Sequence, residues 1–234
     1  MRHHVTRSIV RLGASVAFFA VLLTGCHTSS ASLSKVVGSG KIVTQMRNVE
    51  DFHKVKIGSA LDAVIVHGDE PSVTVTADDN IVEKIETFIA RNGALVVRRV
   101  AGLNLQTKNP IKIQIVTPKC DSVVVSGASA VSFRKFEQEE LRTRVTGASE
   151  FTLDSQIDHF ELQASGASKV FADRHESITV DVQLSGASKV AVAAADTIEG
   201  SVSGSSSVTY SGDPEHVAIK TSGSSRVRHQ KTDS

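Results

Sequence analysis

The side chains suited to chemistry fall into a few small groups. Asp78-Asp79-Asn80 supplies oxygens of the kind a hard cation such as Ca2+ accepts. The alternating acids and distal Glu of a calcium loop are missing. A turn, or an N-cap to one or two helical turns over Ile81 to Ile85, is the plainer reading. Gly38-Ser39-Gly40-Lys41 echoes a phosphate loop but lacks the four-residue spacing and a following Ser or Thr. Asp154 and Asp173 each stand seven residues after a glycine of a recurring tetrapeptide. On neighbouring strands ~5 Å apart they would form a like-charge pair suited to a cation or to acid–base work on a polysaccharide. Ala193 and Ser211 hold that place in the next copies, which breaks the column and favours solvated loop acids. The nine histidines show no metal-ligand spacing, and His159 and His216 share a repeat position three coils apart. No Gly-x-Ser-x-Gly elbow occurs. The chain is therefore expected to be no enzyme, with no catalytic, metal or cofactor site.

What must position these groups is a repeat. Ser126-Gly-Ala-Ser129, Thr146-Gly-Ala-Ser149, Ser165-Gly-Ala-Ser168, Ser185-Gly-Ala-Ser188, Ser203-Gly-Ser-Ser206 and Ser222-Gly-Ser-Ser225 follow one another, with their glycines at 127, 147, 166, 186, 204 and 223. A near-constant step of this size signals stacked repeats. Four residues after each glycine stand Val131, Phe151, Val170, Val190, Val208 and Val227; two before stand Val125, Val145, Ala164, Leu184, Val202 and Thr221. Polar residues lie between them, so each repeat is two alternating strands around a tight corner. The expected fold is all-β: a single-stranded, right-handed parallel β-helix with coils of about 19–20 residues. At ~4.8 Å per coil the six repeats would span about 29 Å. Glycine at the corner permits positive φ or close backbone approach. The Ser hydroxyls are expected either to tie the turn or to form an exposed ridge that meets a polymer or an ice-like lattice.

Composition agrees with a sheet protein. Apolar residues make up 40% and charged residues 22%, with no Trp and one Tyr, so the core is built from Val, Ile, Leu and Ala. Of the 26 basic residues, Arg2, Arg7 and Arg11 lie in the first 25 residues, which hold no acid; without them 23 face 25 acids. A near-neutral chain with dispersed charge excludes nucleic acid as the expected partner.

Residues 1–25 read as an export signal: three arginines, then the uncharged apolar stretch Leu12 to Gly25. Fourteen residues reach roughly 21 Å as a helix, short of a ~30 Å bilayer core. The stretch ends in Leu23-Thr24-Gly25-Cys26, which resembles the lipobox of bacterial lipoproteins; the resemblance implies acylation of Cys26. Residues 26–37 suit a flexible tether. With Cys26 acylated, Cys120 has no disulfide partner and reads as a small buried hydrophobe at the start of a strand.

Residues 42–118 are also rich in strand patterns, at Ala63 to Val66 and Val73 to Thr76, and Asn92-Gly93 marks a hairpin or corner. With Gly38-Ser-Gly40, Arg47-Asn-Val49, Phe52, Val55, Ile57-Gly58, Val64-Ile-Val66, Val73-Thr-Val75, Asp78-Asp-Asn80, Ile111 to Ile115 and the repeats, the chain resembles the "putative auto-transporter adhesin, head GIN domain" family from about residue 38 to 229. The resemblance implies a β-helix and an envelope or surface setting. The expected domain is 38–229, with irregular coils over 38–119, regular repeats over 120–229 and a tail at 230–234.

Three functions are weighed. The first is a lipid-anchored envelope module that binds a surface polymer or protein without catalysis. The others are a periplasm-facing structural or signalling lipoprotein and a polysaccharide-acting enzyme. The even spacing leaves no break for a catalytic cleft. A second copy can pair on the open end of the stack near residue 229.

Overall fold

The computed structural model describes residues 34–231. Cys26, the export segment and residues 26–33 of the tether lie outside the described residues. Among the described residues the fold is all-β apart from one short helix, and fifteen of the strands belong to one mixed sheet.

The repeats build two parallel ladders, one on each side of the corner. β10 (Ser122–Val125) leads into the first corner, and β11 (Ala130–Val145), β12 (Glu150–Ala164), β13 (Lys169–Leu184) and β14 (Lys189–Val202) run from one corner to the next. β15 (Ser207–Ser211), β16 (His216–Thr221) and β17 (Arg226–His229) complete the last two repeats. Away from the bends, each residue lies beside its counterpart one repeat on. In the pre-corner ladder Val125 pairs with Val145, Val145 with Ala164, Ala164 with Leu184 and Leu184 with Val202. In the post-corner ladder Val131, Phe151, Val170, Val190, Val208 and Val227 form the matching file. Alternation puts these side chains inward, where most are buried. Each buried Val, Leu or Phe contributes about 1.5–3 kcal/mol.

The corner glycines have φ between +72° and +84° at residues 127, 147, 166, 186, 204 and 223. A Cβ on Gly147, Gly166 or Gly204 would stand 2.5 Å from the glycine carbonyl oxygen one repeat earlier. That oxygen accepts the N–H of the next corner; Ala167 N donates to Gly147 O at 2.8 Å and Ala187 N to Gly166 O at 2.7 Å. Both the left-handed φ and the stacking distance require glycine.

The N-terminal part extends the same ladders in a different order. β3 (Lys54–Ile57) and β4 (Asp62–His67) flank a corner at Gly58 to Leu61 and lie directly against β10 and β11. The next layer is β7 (Ala94–Arg99) against β3 and β9 (Lys112–Thr117) against β4. Stacking order is thus not chain order: the chain lays down the β3–β4 layer, then one beyond it, then returns past both to begin β10.

Residues 38–119 also depart from a wholly parallel coil. β5 (Ser72–Asp78) runs antiparallel to β9 and to β2 (Ile42–Arg47), and β6 (Ile85–Ile89) forms a hairpin with β7 across Asn92-Gly93. Short returns of this kind require antiparallel pairing, because a parallel neighbour needs a crossover. β1 (Ser34–Val37), in the segment assigned to the tether, pairs in parallel with β8 (Leu103–Gln106).

Candidate functional site

Two motifs that look unrelated in the sequence meet in space. The Gly38–Lys41 loop lies against Asp78 to Asn80 at the end of β5, where the short helix α1 (Asp79–Val82) begins. Asp78 stands at the N-cap position but caps nothing with its side chain. Its carboxylate is instead buried, 1% exposed, and accepts from Gly40 N at 3.1 Å, Asn109 Nδ2 at 2.7 Å and the Thr107 hydroxyl. Ser39 Oγ donates to Asp79 Oδ1, and Asn80 Nδ2 donates to Val37 O at 2.8 Å. The Thr107 and Asn109 hydrogen bonds, with Gly40, hold the Asp78 pKa below its ordinary value against the opposing effect of burial. Each loop thus consumes the other's ligating groups. The arrangement is a clamp, with the oxygens of a would-be cation site spent on protein donors.

No ladder pair joins Asp154 to Asp173, because β12 and β13 are unpaired between Thr152 and His159. β12 and β13 pair Thr152 with Phe171 but His159 with Thr179, so the register slips by one at the bend between them. Asp154 meets Arg174 at 3.1 Å and His175 at 3.4 Å. His159 and His216 lie at the ends of the row His159–Thr179–Thr197–His216, too far apart to share a ligand. Among the described residues no group of three or more His, Cys, Asp or Glu is arranged to hold a metal ion.

The closing Ser of the first five motifs is also turned away from solvent, while Ser225 of the sixth is half-buried. Ser129, Ser149, Ser168, Ser188 and Ser206 are at most 1% exposed. Ser149 Oγ donates to Thr146 O at 2.8 Å and Ser168 Oγ to Ser165 O at 2.7 Å, tying each corner closed. An exposed hydroxyl ridge built from these residues is ruled out. Cys120 is fully buried, and burial pushes its thiol up to about 12, as suits an inert core residue.

Sequence reasoning missed two features. Glu161, Asp181 and Glu199 lie side by side on the outward face of the pre-corner ladder. Partial burial, then the charges of Glu199 and Glu161, raise the Asp181 pKa. Arg142 answers the end of the row, with Nε 3.4 Å from Glu161. All three acids stand five residues before a corner glycine, so the offset was there to be read. The second feature is a shallow groove of about 700 Å³ where the N-terminal strands join the repeats. Val64 and Val66 of β4 supply apolar floor, and Thr74, Gln114, Ser132 and Thr152 supply hydrogen-bonding groups beside them. Its chemistry is that of a contact surface: hydroxyls and an amide over aliphatic carbon.

The model of the family described as "Putative auto-transporter adhesin, head GIN domain" matches residues 51–214. No curated protein matches the chain. Among the crystal structures that share the fold are three from bacteria of the genera Bacteroides and Parabacteroides. A "putative adhesin" from Bacteroides fragilis has 16% identity over 83% of this chain and 100% of its own, with a TM-score of 0.67. A "putative lipid binding protein" from Parabacteroides distasonis has 16% identity over 83% of this chain and 99% of its own, at 0.55. A "putative adhesin" from Parabacteroides merdae has 15% identity over 84% and 99%, at 0.52. The family match spans well over half of the 234 residues, so the chain belongs to the family described as "Putative auto-transporter adhesin, head GIN domain".

Proposed function

We propose that the protein is a non-catalytic binding module of the bacterial envelope, held to a membrane by a lipid on Cys26. The observation that carries the binding reading is the regularity of the ladders. The corners from Gly127 to Gly223 recur at a near-constant step, giving a long ordered surface with no long loop inserted between β10 and β17. Acid–base or nucleophilic work needs convergent side chains. Here the conspicuous acids are spread one per layer, and Asp78 is enclosed by donors. Family membership and the two fold relatives described as adhesins support the same reading.

In this proposal the two ladders are walls of a right-handed parallel β-helix, one coil to each Ser-Gly-Ala-Ser motif. The parallel in-register pairing of β10 to β17 supports it. Residues 1–25 are an export signal, 26–37 link lipid to domain, and 38–229 form the binding domain. The partners are the membrane, through the anchor, and a polymer or protein of the cell exterior. The outer membrane is the proposed site.

Fractionation with protease shaving tests this. Wild type should sediment with membranes and Cys26→Ser should not. Added protease should remove the protein from intact cells. A soluble wild type would sink the lipid anchor, and protection until lysis would place the module in the periplasm and end the adhesive reading.

A further inference from the structure

The outward faces of the two ladders carry opposite charge in the C-terminal half. The pre-corner ladder presents the acids Glu161, Asp181 and Glu199. In the post-corner ladder Lys169 pairs with Lys189, Lys189 with Ser207 and Ser207 with Arg226, a file of three cations along the stacking direction interrupted at Ser207. The adjoining row is Phe171, Ala191, Thr209 and Arg228. All four cations are exposed, as is Phe171, at 43%. None of the four forms a salt bridge among the described residues. Lys169 directly beside Lys189 is a like-charge pair, which weakens a sheet unless an anion answers it.

We propose that this file binds a linear polyanion, an acidic polysaccharide laid along the stacking direction. The proposal deepens the binding-module reading and rests on it. Neighbouring layers are ~4.8 Å apart, close to the length of one sugar in an extended glycan. Successive carboxylate or sulfate groups can therefore meet Lys169, Lys189 and, two layers on from Lys189, the fork of Arg226. Phe171, one row in, presents an aromatic surface to the C–H face of a sugar ring. A flat anionic membrane fits less well, because the positive strip is narrow. Glu150 precedes Lys169 in the file, and Asp173 is exposed two residues beyond Phe171.

The test is retention of the full-length chain, solubilised in detergent, on immobilised polygalacturonate, with uncharged dextran as control. Binding should appear on polygalacturonate alone and weaken as salt rises. Lys169→Glu/Lys189→Glu should bind at least tenfold more weakly. Lys56→Glu/Arg91→Glu, which carries the same charge change at other exposed positions, should bind like wild type. Thermal melts of both variants confirm folding. Absence of binding, equal loss in both variants, or preference for phosphatidylglycerol vesicles over the polymer would overturn the proposal. Shortening of the bound polymer would leave the ligand class standing and sink the non-catalytic reading instead.

Discussion

Asn109 Nδ2 lies 2.7 Å from Asp78 Oδ1, and this bond joins the segment before β9 to the end of β5. Gly40 reaches the same oxygen from a third segment, and Thr107 takes the other. Gly38 packs so closely that a methyl group in its place would overlap the Asp78 carboxylate.

Asp78→Asn should destabilise the protein at neutral pH, since an amide cannot accept from all three donors in this geometry. The pH dependence has a definite sign. A carboxyl with a lowered folded pKa stabilises above its unfolded value near 3.8 and loses that contribution as pH falls through the folded value. Urea midpoints of wild type and Asp78→Asn should therefore differ at pH 7 and converge as pH falls through the folded value. A constant gap would mean that charge plays no part.

Gly166→Val should cost on the order of 3 kcal/mol or more, combining positive φ with steric overlap. Gly166 has φ +80°, and its Cβ would sit 2.5 Å from Gly147 O. An unchanged urea midpoint would sink the corner assignment.

Ser59→Gly should stabilise by about 0.5–1 kcal/mol, because glycine avoids the left-handed penalty that outweighs its entropy cost. Ser59 has φ +66° and stacks on Gly127, whose Cβ would lie 3.2 Å from Ser59 N. The readout is thermal denaturation, and a lowered midpoint would contradict it.

Thr143→Val should also stabilise, by roughly 1 kcal/mol, by removing an unsatisfied buried hydroxyl. Thr143 is 3% exposed, its Oγ1 has no partner, and its in-register neighbours are Val123 and Leu162. Calorimetry on the single variant decides it.

The repeats were legible because one steric demand recurs: each corner glycine from Gly147 to Gly223 leaves no room for a Cβ over the carbonyl below it. The β3–β4 corner obeys the same geometry with its residues displaced. Ile57 pairs with Val125 and Asp62 with Ala130, so Ser59 stands where Gly127 does and Leu61 where Ser129 does. With glycine shifted to position 58 the period disappears from the sequence. Counting from the glycine found the interior files and failed at Asp154, because the bend between Thr152 and His159 holds one residue more in β13 than in β12. The clamp of Asp78 was illegible for a different reason. Gly40 and Asn109 are remote from it along the chain, and their meeting depends on how β2, β5 and β9 pair.

The layer made by β3 and β4 sits between neighbours that are synthesised after it. As the chain leaves the ribosome, residues 54–67 emerge with both strand edges unsatisfied. They stay so until residues 94–117 cover one side and residues 122–134 the other. Assembly therefore cannot zip from the first strand. A nucleus running from β3 into the first part of β11 is expected to close as a unit, after which β12 to β17 add one repeat at a time. Shortening the chain from its C-terminal end should peel stability away in steps, whereas a break between β4 and β9 should abolish folding outright.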